Sequence, residues 1–173
     1  MPELPEVTNV VNALNKLGTF TVTDVELSVH AEPRFSQAGS LLDRQILGWE
    51  RLGKHIVTVL DTNFGLTHLG MTGQILVNPT QIDSHCHIVA NCVNADEEIL
   101  LVWRDPRRFG NFRYVPSRQT LAAVTDLGPD LLSSIFDTPY LMQMCQKTSA
   151  PIKSVLLDQH TVAGIGNYLA DET

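Results

Sequence analysis

The apolar positions near the start of the chain fall at helical spacing. Val7, Val10, Val11, Leu14 and Leu17 line one face, and Gly18 stands where a helix stops, which predicts a helix over Pro5–Leu17. From Thr19 to about Val29 the period becomes two, with β-branched residues set against polar ones, as a half-buried strand requires. A short helix is predicted over Ser36–Arg44. Strands follow at Gln45–Arg51, His55–Asp61, Gly65–His68, Gln74–Val77, His87–Val93, Glu98–Trp103 and Asn111–Val115, with turns rich in Gly, Asn, Asp and Pro between them. Many short strands at close spacing predict an antiparallel β-sandwich or barrel. After Val115 the pattern turns helical, at Leu121–Val124, Tyr140–Gln146 and Ile152–Asp158. The expected fold is therefore α+β. An N-terminal helix and antiparallel β-sandwich occupy residues 1–125, a linker 126–131, and a helical segment, short for a core of its own, 132–173. The last residues open a further helix, so the chain is expected to be cut short at that end.

Composition narrows this picture. The 173 residues suit one domain, or one with a small appendage, and 43% hydrophobic against 18% charged residues is enough to fill a core. No stretch approaches the length of a membrane span, and no N-terminal segment follows the charged-then-apolar pattern of a secretory signal. An intracellular protein is expected, in the cytoplasm or nucleoid if the source is bacterial. The cysteines, Cys86, Cys92 and Cys145, are odd in number and form no C-x-x-C pair. His85-Cys86-His87 with Cys92 invites a metal reading, but on a strand the two histidines share one face and Cys86 takes the other, so no metal is expected.

The net charge of −7 argues against indiscriminate nucleic-acid binding. The charge is uneven. Between Ile99 and Arg118 stand five arginines (Arg104, Arg107, Arg108, Arg113, Arg118) against one acid, Asp105. Such a stretch is either a local phosphate-holding patch or a solvated strand face.

The first six residues, Met1-Pro2-Glu3-Leu4-Pro5-Glu6, carry the most pointed chemistry. Removal of Met1 would leave Pro2 with a terminal secondary amine. Free α-amines have a pKa near ~8, so a useful fraction is unprotonated at neutral pH and able to form a Schiff base with a sugar aldehyde carbon. A second reading is structural, since proline and acids are both favoured in the first turn of a helix.

Five stretches have to be read together. They are Pro2-Glu3-Leu4-Pro5-Glu6, Gly53-Lys54-His55, His68-Leu69-Gly70-Met71-Thr72-Gly73, Asp105-Pro106-Arg107-Arg108-Phe109-Gly110, and Pro151-Ile152-Lys153 with Ala163-Gly164-Ile165-Gly166-Asn167. In this order and spacing the chain resembles the formamidopyrimidine-DNA glycosylase and endonuclease VIII family of base-excision repair enzymes, from Pro2 to Glu172.

The resemblance implies a bifunctional glycosylase and lyase that flips an oxidised base out of duplex DNA, cuts its glycosidic bond and nicks the backbone. It implies that Pro2 attacks C1′, that Glu3 protonates the ring oxygen, and that Lys54 lies near the lesion phosphates and moves a proton in the elimination. Met71, Arg107 and Phe109 match the side chains that fill the hole left by the flipped base. His68 and His85 match positions on the phosphate track, and Lys153 and Asn167 would grip the backbone beside the lesion. The motif variants Pro-Glu-Leu-Pro-Glu and Met/Arg/Phe resemble the branch acting on oxidised purines such as 8-oxoguanine and formamidopyrimidines. Gly166-Asn167-Tyr168-Leu169 resembles the endonuclease VIII branch, which acts on oxidised pyrimidines. A fold kept for damage binding without turnover is the third reading. The helical segment resembles the start of a helix-two-turn-helix module. In the family that module continues into a zinc finger or zincless hairpin, so no cofactor is expected in this chain. The expected partner is damaged double-stranded DNA, bound by a monomer.

Overall fold

The computed structural model describes residues 1–173. Helix α1 spans Leu4–Asn15 and buries Leu4, Val7, Val11 and Leu14, the stripe that the spacing predicts. Its last residue, Asn15, fastens it to the sheet: Nδ2 donates to the carbonyl of Trp49 (2.8 Å), and Oδ1 accepts the Trp49 N–H (2.8 Å).

Eight antiparallel strands follow: β1 (Phe20–Leu27), β2 (Gln45–Leu52), β3 (His55–Leu60), β4 (Phe64–His68), β5 (Gln74–Val77), β6 (Cys86–Val93), β7 (Glu98–Arg104) and β8 (Asn111–Val115). They form one sheet in the order β5-β7-β6-β1-β2-β3-β4-β8. Between β1 and β2 the register holds only Phe20↔Ile46 and Thr21↔Gln45. This narrow joint lets the halves on either side fold over each other. Trp103 of β7 donates from Nε1 to Thr67 Oγ1 of β4 (3.2 Å), and its ring meets Phe112 of β8 edge-on at 6.2 Å. Strands far apart in sheet order are thus face to face, which makes the expected sandwich. Val22, Ile46, Ile56, Ile88, Leu101, Trp103 and Phe112 fill it, and α1 closes it with Val7, Val11 and Leu14.

Two local expectations need correction. Ser36–Leu41 is a 3-10 helix, not the longer helix that the pattern suggests. The strict alternation expected through His85-Cys86-His87 is broken by a bulge between Cys86 and Ile88, so Cys86 and His87 are both buried while His85 is exposed. His87 stacks on Phe35 at 4.9 Å and is a core residue.

The remaining helices are α2 (Arg118–Thr125), α3 (Thr138–Gln146), α4 (Ile152–Leu157) and α5 (Asn167–Glu172). Leu156, Val162 and Ile165 make a small core among these helices. The stretch 126–131 does not hang free. Gly128 donates to the Gln159 carbonyl (2.9 Å), the Pro129 carbonyl accepts from Ala163 (2.9 Å), and Leu131 donates back to Ala163 (3.1 Å). Arg51 of β2 then locks this segment to the sandwich, its guanidinium bidentate on Asp130 at 2.5 and 3.0 Å. Burial is the strongest single influence and would raise the Asp130 pKa, but the Arg51 hydrogen bonds, the Leu132 N–H and the Arg51 charge together hold the carboxyl below its usual range. No helix is long and apolar enough to cross a membrane.

Candidate functional site

The N-terminal segment is berthed in the loop before α5. Leu4 donates its N–H to the Gly164 carbonyl at 3.1 Å. Glu3 is buried, and its carboxylate accepts three backbone N–H bonds, from Gly166 (3.0 Å), Tyr168 (2.9 Å) and Leu169 (3.0 Å). These are amides of the first turn of α5, which have no partner within the helix. Glu3 therefore caps α5 from the other end of the chain, an anion at the positive end of a helix. Glu6 in turn accepts the Glu3 N–H at 2.9 Å, fixing the start of α1. Pro2, half-buried, directly precedes this anchor. The glycines make room. A Cβ on Gly166 would stand 2.3 Å from Glu3 Cδ, and one on Gly164, whose φ is +107°, 2.8 Å from Leu4 Cδ1. The motif suggests a phosphate at Gly164-Ile165-Gly166; the structure gives that space to Leu4 and Glu3.

Lys54 sits in the tight turn between β2 and β3, not on a strand, and is buried rather than solvated. Gly53 takes the left-handed φ of +57° that this turn demands. A Cβ there would lie 3.1 Å from Leu127 Cδ1 and 3.2 Å from Ala163 Cβ, so the hairpin leans on the loop that berths Glu3. Burial lowers the Lys54 pKa, and the nearby Glu3 charge partly opposes the shift. An ammonium brought nearer to neutrality is better suited to proton transfer than an ordinary surface lysine.

His68 ends β4 directly across from His55 of β3, with the rings 5.0 Å apart. Its Nδ1 accepts the Gly70 N–H at 3.1 Å, so the neutral ring carries its proton on Nε2. Burial, then the Lys54 charge, lowers its pKa. His55 is pushed down to about 4, by burial first, then by His68, with Arg113 adding. Its Nδ1 is buried without a partner.

These shifts predict a pH dependence of stability. Between pH 6.5 and about 4 the unfolded chain binds a proton at His55 that the folded chain refuses, so stability falls as pH drops through that window. The shift corresponds to about 3 kcal/mol by pH 4, and His68 acts in the same direction. Urea midpoints measured from pH 7 to 4 are expected to fall less steeply in His55→Phe than in the parent. Parallel curves would refute the assignment.

The three expected void-filling residues share one rim. Met71 is 45% and Phe109 47% exposed, high for such side chains, and the Arg107 guanidinium lies 4.7 Å from the Phe109 ring centroid. Their loops touch through backbone: a Cβ on Gly70, whose φ is +63°, would stand 2.5 Å from the Gly110 nitrogen. His85 is exposed in the loop leading into β6. The arginine-rich stretch is not one free patch. Arg104 is paired with Asp83 and Arg118 with Glu50, which leaves Arg107, Arg108 and Arg113 on the basic side. Lys153, expected to grip the DNA backbone, donates to Asp171 in an exposed pair. Asn167 opens α5 with its side chain exposed.

The site thus gathers residues from 2–6, 53–55, 68 and 164–169, while Met71, His85, Arg107 and Phe109 belong to a neighbouring rim. The resemblance assigns no role to the buried Asp105 carboxylate, the His55 ring or the Arg51–Asp130 clamp. Asp105 had one signal in the sequence, as the lone acid in an arginine-rich stretch. Nowhere do three His, Cys, Asp or Glu residues gather as metal ligands.

Known proteins share the fold and the family. Residues 1–112 match the formamidopyrimidine-DNA glycosylase N-terminal domain, and residues 127–173 the H2TH domain of the same enzymes. The formamidopyrimidine-DNA glycosylase of Zymomonas mobilis is 35% identical over 179 residues, covering 99% of this chain and 65% of the relative. That of Parasynechococcus marenigrum is 35% identical over 188 residues, covering 100% and 66%. The chain therefore spans about two thirds of the length of these relatives. Among solved structures, the MutM (Fpg) protein from Thermus thermophilus superposes with a TM-score of 0.83 at 32% identity, over 99% of this chain and 62% of that one. A MutM in complex with DNA containing carbocyclic 8-oxo-G gives 0.86 at 27% identity, over 99% and 67%.

Proposed function

The chain belongs to the formamidopyrimidine-DNA glycosylase family, and on that premise we propose that it removes oxidised purines from duplex DNA and nicks the abasic product. The observation that carries this reading is the berth at the N-terminus. Buried Glu3 is held by three amides, with Pro2 one residue away and buried Lys54 close enough to feel its charge.

In the proposed reaction, Met1 is removed and the Pro2 nitrogen attacks C1′ of a flipped nucleoside. The N–C1′ bond forms as the glycosidic bond breaks, and the base leaves with the electron pair and the proton that the amine gives up. The Glu3 carboxylate assists opening of the sugar by relaying a proton from solvent to the ring oxygen, and the resulting iminium acts as an electron sink. Loss of a C2′ proton then expels the 3′ phosphate. Lys54, with its lowered pKa, supplies the proton-transfer group at this step. Exposed Met71, Phe109 and Arg107 fill the vacated stack, in keeping with a structural neighbour bound to DNA containing carbocyclic 8-oxo-G.

The test is base release and strand nicking on matched duplexes carrying 8-oxoguanine or an oxidised pyrimidine. Faster release of 8-oxoguanine is expected, and Lys54→Met should slow nicking by about a hundredfold. Preference for the pyrimidine would move the chain to the endonuclease VIII branch. Binding without release from either duplex would leave a damage-binding protein and overturn the enzymatic reading.

A further inference from the structure

We propose that Asp105 is the positioning residue that fastens the Met71 turn to the Arg107–Phe109 loop, so that the three side chains enter DNA as one wedge. The wedge itself rests on the function proposed above; the fastening is read from geometry alone.

Asp105 follows β7 and is 2% exposed, an unusual place for a carboxylate unless every acceptor is used. Here each one is. Oδ2 accepts the Gly110 N–H at 2.7 Å, which closes the 105–110 loop on itself. Oδ1 accepts the Thr72 hydroxyl at 2.8 Å, and Thr72 is the residue next to Met71. The Asp105 carbonyl accepts the Arg108 N–H at 3.1 Å and meets His87 Nε2 at 3.0 Å. A carbonyl can only accept, so His87 donates from Nε2, and its Nδ1 is left to accept the Ser28 hydroxyl at 3.1 Å. The Asp105 N–H goes to the carbonyl of His85 at 2.9 Å. One buried residue therefore bonds to all three segments that carry exposed candidate DNA contacts: the Met71 turn, the Arg107–Phe109 loop and the start of β6.

Strand pairing frames both loops, His68↔Asn111 at one end and Gln74↔Arg104 at the other, and Gly70 packs on Gly110; the Thr72–Asp105 bond is the side-chain tie added between them. Met71, Arg107 and Phe109 point outward and bury little against the core. Wedging between base pairs works against stacking, so a wedge whose parts can slide yields instead of the duplex. A charge-assisted bond from Thr72 to a carboxylate already bound to Gly110 removes that freedom.

Three variants separate this role from a general need for Asp105 in folding. Thr72→Val removes only the side-chain hydrogen bond between the loops. Asp105→Ala removes both side-chain bonds. Asp105→Asn keeps the shape, since its carbonyl can accept from Gly110 while its NH2 donates to the Thr72 oxygen. The probe is a duplex with a tetrahydrofuran abasic analogue facing 2-aminopurine, whose fluorescence reports side-chain insertion into the gap. Insertion is expected to slow by about tenfold in Thr72→Val, as for loss of one hydrogen bond to a charged acceptor, and by more in Asp105→Ala. Overall affinity, read by anisotropy, should change by less than about threefold, because phosphate contacts dominate it. Asp105→Asn should behave as the parent. Equal loss of insertion and of affinity, or no loss in Thr72→Val, would overturn the proposal. Amide hydrogen exchange without DNA supplies a second readout. Exchange in both loops should quicken in Asp105→Ala and stay near parental in Asp105→Asn. If the parent protein binds no damaged duplex, the DNA reading fails, and unchanged exchange in Asp105→Ala would separately refute the fastening.

Discussion

Borohydride added to the protein on a duplex with an abasic site is expected to leave a covalent adduct, and retention of Met1 is expected to abolish it. The reason is valence. With Met1 attached, the Pro2 nitrogen is a tertiary amide with no lone pair for attack; freed, it is a secondary amine that condenses with the sugar aldehyde to a permanent iminium, the species borohydride reduces. Pro2→Gly leaves a primary amine on a freer backbone, and loss of orientation should cut trapping by roughly tenfold or more. Adduct mapping by peptide mass should place the sugar on residue 2. An adduct of undiminished yield in the Met1-retaining protein would move the nucleophile elsewhere, with buried Lys54 next to be tested.

Gly166→Ala is expected to be nearly as damaging, although Gly166 itself takes no part in the proposed reaction. The added methyl would lie 2.3 Å from Glu3 Cδ and Oε1 and 2.6 Å from Cγ, far inside van der Waals contact. A free carboxylate would swing away, but this one is tied to the amides of Gly166, Tyr168 and Leu169, so relief comes only by breaking those bonds or shifting α5. A displacement of about 1 Å at a reacting group costs on the order of a hundredfold in rate. Single-turnover excision should fall by about that factor, with a lower melting temperature from the lost cap. Gly39→Ala, where an added Cβ meets nothing within 4 Å, is the matched control and should stay near the parental rate. Equal rates for both variants would show that Glu3 need not be held where the structure places it.

The sheet and α1 are legible in the chain because burial is written residue by residue along them. Val7, Val11 and Leu14 are buried at helical spacing, and β3, β6 and β7 carry near-continuous apolar runs, so their bounds can be read to within a residue or two. The bulge at His87 is not legible, because one extra residue changes the face of a side chain without changing the composition around it. Lys54 has the same difficulty: the motif marks it, but the leaning of its turn on Ala163 is a long-range contact. Glu3 is the clearest case. Its bond to Gly166 joins residues 163 apart, and Gly-Ile-Gly read locally suits a phosphate equally well. The family motifs identify which residues gather; only the fold shows that Glu3 has taken the amides and that Lys153 pairs with Asp171.

Because the amides that hold Glu3 come from residues 166–169, the order in which a ribosome delivers the chain matters. The sandwich of residues 1–125 emerges first and carries the proposed nucleophile, yet the carboxylate beside it has nowhere to dock until α5 has left the exit tunnel. A nascent or proteolysed fragment ending before that point would bear a terminal amine without its organised acid. On the proposed mechanism, joining Pro2 and Glu3 to a late helix would keep unfinished copies from acting on DNA.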